Sequence, residues 1–192
     1  NLDFSNDVCL APLVVEGGQA PQAGTLSSSV VIEKSGEKIG VVGATTPGLP
    51  FLTSAGGVIT TPTAQSQALT DAQLAETAAI IQAEVDSLLT ANPDVNKVIL
   101  ISHMQVFDYE VQLAELLSNV DIIIAGGSEP VAVDSDDILR DGDVQTEEYP
   151  VWRTNAGGTE TAIVTEAGDY DYLGRLVIEF DDDGNILRDT YD

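Results

Sequence analysis

Two apolar runs in this sequence end in residues that can hold a ligand. The first, VILISH (98–103), closes with Ser102 and His103, the only histidine of 192 residues. The second, IIIAGGSE (122–129), closes with Gly126, Gly127, Ser128 and Glu129. A neutral imidazole offers a nitrogen to a metal ion, and a carboxylate offers a hard oxygen. Paired glycines let the backbone turn sharply or approach a ligand closely. His103 and Glu129 are therefore the candidate metal ligands. Gly126, Gly127 and Ser128 are the candidate substrate-binding residues. Plainer readings stand beside these: a packed histidine at a strand end, a glycine turn, a solvated glutamate. One His and one Glu do not complete a site, because zinc takes three or four protein ligands.

These residues meet only if the two runs are neighbouring parallel strands. KVILIS and VDIIIAGG are apolar throughout, as strands covered on both faces are. Between them, DYEVQLAELLSN reads as a helix with Val111, Ala114 and Leu117 on one face. A right-handed crossover of this kind sets the second strand beside the first. Ligands of open α/β sheets gather beyond the carboxyl ends of such strands. Upstream, residues 71–90 carry Leu74, Ala78, Ile81, Val85 and Leu88 at steps of three and four. That predicts a helix, with Thr70 and Gln73 as a capping box and Asn92-Pro93 as its stop. Residues 30–33 and 38–43 read as strands joined by a turn at Ser35-Gly36. Residues 1–27, 47–70 and 128–148 read as loops. PVWRTN and ETAIVTEA read as strands, and residues 174–192 as a hairpin turning at Asp183-Gly184. The predicted class is α/β, with a parallel centre and antiparallel ends.

Composition excludes several partners. The chain carries 32 acidic and 7 basic residues, a net charge of −25. Phosphate backbones and anionic membranes need Lys and Arg, so no nucleic acid and no membrane surface is expected. No stretch approaches the ~20 apolar residues of a membrane span. Such acidity suits high ionic strength, where salt screens self-repulsion, and points to a saline environment. At 43% hydrophobic, the sequence is not that of a disordered chain. The single cysteine, Cys9, allows no internal disulfide and reads as a small buried apolar residue. DSDDILRDGD (134–143) gathers oxygen donors but lacks the spacing of an EF-hand. No GxGxxG, GxxxxGK or HExxH is present.

Taken in order, NLDFS, GEKIGVVGATTP, VILISHMQ, VDIIIAGGSE and AGDYDYLGRLVIEFDDDGNI resemble the calcineurin-like metallophosphoesterases, in their 5′-nucleotidase branch. The resemblance implies a four-layer α/β/β/α sandwich of mixed sheets, with 1–192 as one partial domain. It implies divalent metal ions (Zn, Mn, Mg or Ca) at the strand ends and a nucleotide or other small phosphate ester as substrate. His103 matches the histidine of the family's fourth metal motif. Gly126, Gly127, Ser128 and Glu129 match its Gly-His-x-His, with Gly127 and Glu129 in place of the two histidines. The family's Asp-x-His, Gly-Asp-x-x-Asp and Gly-Asn-His-Glu motifs are not in this sequence. The resemblance therefore implies a partner, the N-terminal half of the domain. A sheet without that half exposes edges, which also predicts homodimerisation. A periplasmic or extracellular location is expected. The alternative expectation is a degenerate, non-catalytic member that keeps the fold as a binding or structural module.

Overall fold

Alternation along four consecutive apolar runs builds one sheet with two unlike faces. The computed structural model describes residues 1–128, 130–168 and 171–188. Its strands and helices are β1 (Leu2–Asp3), β2 (Ser29–Lys34), β3 (Glu37–Thr45), β4 (Ile59–Thr60), α1 (Asp71–Ala91), β5 (Val98–His103), α2 (Phe107–Leu116), β6 (Ile122–Gly126), β7 (Ala132–Val133), β8 (Glu147–Glu148), β9 (Val151–Thr154) and β10 (Glu160–Val164). The main sheet has six strands in the order β2-β3-β5-β6-β10-β9. β3, β5, β6 and β10 run parallel, and β2 and β9 pair antiparallel at the two edges. The predicted parallel centre with antiparallel flanks is the one observed.

Register sorts the side chains. Val42 pairs with Leu100, Leu100 with Ile123 and Ile123 with Ile163, so these four share one face. They form one buried cluster with Leu74, Ala78, Ile81, Val85 and Leu88 of α1 and with Leu113 and Ala114 of α2. Both helices therefore cover the same face. Burying each such Leu, Ile or Val contributes roughly 1.5–3 kcal/mol. The other face is covered only in part: Ile122, Ala162 and Val164 are buried on it, while Ile32, Ile101 and Ile124 are 41%, 49% and 43% exposed. Helices over one face of a mixed sheet make two of the layers that the resemblance implies. The second sheet of such a sandwich would pack on the face left open.

The capping box at the start of α1 is present. The Gln73 amide donates to Thr70 Oγ1 at 3.3 Å, and the Thr70 amide donates to Gln73 Oε1 at 3.0 Å. The turn at Ser35-Gly36 has φ of 54° and 87°, both positive, as a tight hairpin turn requires.

Several expectations need correction. Cys9 is exposed rather than buried, because it sits in a surface turn where its amide donates to the Asp7 carboxylate at 2.9 Å. The loops at 1–27 and 47–70 contain the β1–β4 pair and short 3-10 turns at Ala11–Leu13 and Leu49–Phe51. The loop at 128–148 contains the parallel pair β7–β8. The expected C-terminal hairpin is reduced to a single bridge between Phe180 and Ile186, closed through Gly184 at φ 88°. Its last four positions, 189–192, lie outside the described residues.

Candidate functional site

The adjoining ends of β3, β5 and β6 set three residues in a row. Thr45 pairs with His103, and His103 with Gly126. The two apolar runs are thus neighbouring parallel strands, as their sequence predicted. His103 is exposed at this edge. Its carbonyl accepts from the Thr46 amide at 3.0 Å. The Asn1 side chain lies alongside, donating to the Thr45 carbonyl at 2.6 Å.

The imidazole lies over the Gly126-Gly127 backbone. A Cβ built on Gly126 would stand 3.1 Å from His103 Nδ1, and one on Gly127 would stand 2.8 Å from Nε2. The Gln105 amide crowds the same side of Gly127. Gly127 also has φ 85°, which favours glycine. Glycine here is therefore required twice, by backbone conformation and by the ring above it. Gly126 and Gly127 stand beside His103, as the neighbouring strand ends predicted. Ser128 Oγ is buried with no hydrogen-bond partner among the described residues. Glu129 lies outside the described residues.

Beneath this edge sits a residue that the sequence reading passed over. Glu110, on α2, is 0% exposed. Its Oε1 accepts from Ser102 Oγ at 2.7 Å and from the Met104 amide at 3.0 Å. Its Oε2 has no partner among the described residues. Burial pushes its pKa up to about 7, against the lowering effect of those two donors. The signal was available: Glu110 lies three positions after Phe107 and three before Leu113, on the face α2 buries. A search for apolar periodicity skips a charged residue at such a position. Gln105, at φ 70°, was missed because nothing in sequence places its side chain beside the ring.

A cavity of about 640 Å³ opens on the other side of the glycines, lined by Ile99, Ile124, Tyr149, Thr165 and Glu166 among others. Thr165 Oγ1 is buried there without a partner among the described residues. Burial raises the Tyr149 phenol to about 12, with Glu166, Asp137 and Asp134 adding to the shift. Burial, then Asp137, raises the Glu166 carboxyl. In the acidic loop, Asp134 and Asp137 spend carboxylate oxygens on backbone amides at 2.8 and 3.0 Å, and Arg140 pairs with Asp171.

Among the described residues no three His, Cys, Asp or Glu converge as a metal site requires. His103 presents one nitrogen. The described donors therefore do not by themselves fit a metal ion, whose remaining ligands would have to come from elsewhere. No helix among the described residues is long and apolar enough to cross a membrane.

Comparison with known proteins gives a consistent result. No family model matches the sequence. Mouse 5′-nucleotidase is 30% identical over 165 residues, covering 86% of this chain and 26% of its own length. Rat 5′-nucleotidase is 29% identical over 178 residues, covering 92% of this chain and 28% of its own. The chain thus spans about a quarter of the length of these curated relatives. Among solved structures, the 5′-nucleotidase precursor of Thermus thermophilus superposes with a TM-score of 0.70 at 23% identity, covering 100% of this chain and 31% of that one. The NAD nucleotidase of Haemophilus influenzae superposes at 0.68 and 20% identity, covering 85% of this chain and 26% of that one. At those identities the two structures attest the fold.

Proposed function

We propose, on the premise that this chain is homologous to the 5′-nucleotidases of the metallophosphoesterase branch, that it forms part of a metal-dependent phosphoesterase acting on nucleotides or related phosphate esters. The observation that carries this reading is His103. It is exposed at the carboxyl edge of β5, beside the Gly126-Gly127 turn, in a chain alignable with 5′-nucleotidases over most of its length.

In this reading His103 gives one imidazole nitrogen to a divalent cation. Such ions activate a water and offset the charge of a phosphate. Glu129 is a second candidate ligand, and as an oxygen donor it would favour harder ions such as Mn²⁺, Mg²⁺ or Ca²⁺. Gly126, Gly127 and Ser128 contribute close backbone approach and a hydroxyl to the substrate. The remaining ligands come from the N-terminal half of the domain, which would also cover the open face of the sheet. Without it, that face favours a homodimer. The proposed location is periplasmic or extracellular.

The test is phosphatase activity of the full-length protein with added Mn²⁺ or Zn²⁺ on a nucleoside monophosphate. His103→Ala should lower kcat/KM by at least roughly 100-fold, since losing only a group behind a metal ligand already costs about 10–100-fold. An unchanged value removes His103 from the site.

A second reading is favoured by Gly127, which stands where the family pattern carries a histidine. In that reading the protein is a non-catalytic member that keeps the fold for binding. Stoichiometric transition metal in the purified full-length protein would argue against it.

A further inference from the structure

Ser102 and Met104 flank His103, and both are tied to one atom. Ser102 Oγ and the Met104 amide each donate to Glu110 Oε1, at 2.7 and 3.0 Å. Met104 lies just past the end of β5, where the sheet no longer offers its amide an acceptor. Residues 104–106 then carry the chain to α2, with Gln105 at φ 70°. On the far side, the His103 carbonyl is held by the Thr46 amide. The imidazole can lie over Gly126 and Gly127 only while this short turn keeps its course.

Stability alone does not account for Glu110. Its carboxyl is fully buried on a helix face otherwise filled by Phe107, Leu113 and Ala114, and one oxygen is left unpaired. Apolar residues at such positions are commonly as stable or more so. Buried polar groups are better attested as devices that fix one arrangement among several.

We propose that Glu110 is a positioning residue for His103. A single carboxylate oxygen holds the residues before and after the histidine, and so sets the direction in which its imidazole leaves the strand. The proposal rests on the reading of His103 as the working group of this edge, but its test does not depend on metal.

The chain has one histidine, so its imidazole Cε1–H signal in NMR reports on His103 alone. The measurement uses the whole 192-residue chain, with Met104 amide exchange followed in parallel. E110Q keeps an acceptor oxygen and should leave one His103 signal near its original position. E110L fills the space without an acceptor. It should speed Met104 exchange at least about tenfold, and broaden or split the His103 signal, while circular dichroism shows a folded chain. A role in stability only would lower the melting temperature of E110L and leave the His103 signal of the folded chain unmoved, and that result overturns the proposal. If E110L does not fold, S102A decides in the same way, since it removes one of the two bonds and leaves a small side chain. Mn²⁺ binding by the full-length protein, which supplies the remaining ligands, separates the two readings. Weaker binding in H103A, with a roughly tenfold loss of affinity in E110L, supports both. Binding unchanged in H103A counts against the ligand reading, while the E110L histidine signal still judges positioning.

Discussion

At the scale of single residues, His103 and Gly127 are a matched pair. The ring occupies the volume that any side chain at 127 would need, and the backbone there sits at φ 85°. Gly127→Ala should therefore cost about 1–3 kcal/mol in urea denaturation and shift the single histidine signal. An unmoved signal would show that the ring does not rest on this turn. Two buried carboxyls make a second prediction. Asp121, whose Oδ2 accepts from the Val98 amide at 2.7 Å, is raised from 3.8 to about 6 by burial, against the lowering pull of that amide and of Lys97. Glu110 is raised from 4.5 to about 7. Both hold a proton more tightly in the folded than in the unfolded chain. Their contribution to stability is therefore full below about pH 4, lost as pH rises through about 4 to 7, and constant above. Each shift corresponds to up to about 3 kcal/mol. Melting temperature against pH should fall across that window, and Asp121→Asn should flatten the lower part of the slope.

At the scale of elements, the helices differ in how well the sequence describes them. α1 has a capping box at one end and five apolar residues at helical steps, and both features are found in place. Its packing is tight where it crosses β3, since a Cβ on Gly40 would stand 2.8 Å from Leu88 Cδ2. Leu88→Ala should cost 2–5 kcal/mol by chemical denaturation, an approximate range for a large-to-small change in a closed core. A loss below about 1 kcal/mol would mean that the helix can settle onto the glycine. For α2 the predicted face of Val111, Ala114 and Leu117 is in place, with Ala114 and Leu117 buried and Val111 packed against the core, but the prediction left out Phe107, Glu110 and Leu113, which the helix also buries. The charge on Glu110 breaks the apolar pattern that reveals a helix face. The strand pair β5–β6 was fully legible because both runs are apolar throughout and one helix apart. The C-terminal hairpin was over-read. Turn residues at 183–184 specify a reversal of the chain, but pairing along its arms needs a neighbouring surface that a local signal does not supply.

At the scale of the whole molecule, two features dominate. One is the partly uncovered apolar face of the main sheet, where Ile101 and Ile124 stand near half exposed on adjoining strands. Replacing both with Thr keeps strand propensity and removes apolar surface. In sedimentation velocity the double variant should self-associate less than the wild type, with under about 1 kcal/mol of lost stability per site. Equal association would place the contact elsewhere. The other is the net charge of −25. Raising salt shortens the screening length from about 30 Å at 0.01 M to about 3 Å at 1 M, so the melting temperature should climb with KCl. A flat response would mean that the carboxylates are spaced widely enough not to repel.

The sequence by itself determined the class of fold, the parallel pair of strands, and the Gly126-Gly127 pair that stands beside His103. Those follow from local patterns: apolar runs, helical spacing and one crossover of fixed hand. Only the tertiary structure decided that Glu110 lies beneath His103 and that the ring rests on Gly127. It also decided that Cys9 faces solvent and that one sheet face remains partly uncovered. These are relations between segments distant in the chain or hidden by a charge, and they arise when side chains compete for the same space. A pattern of residue types records which segments prefer burial. It does not record which atom each buried group will meet.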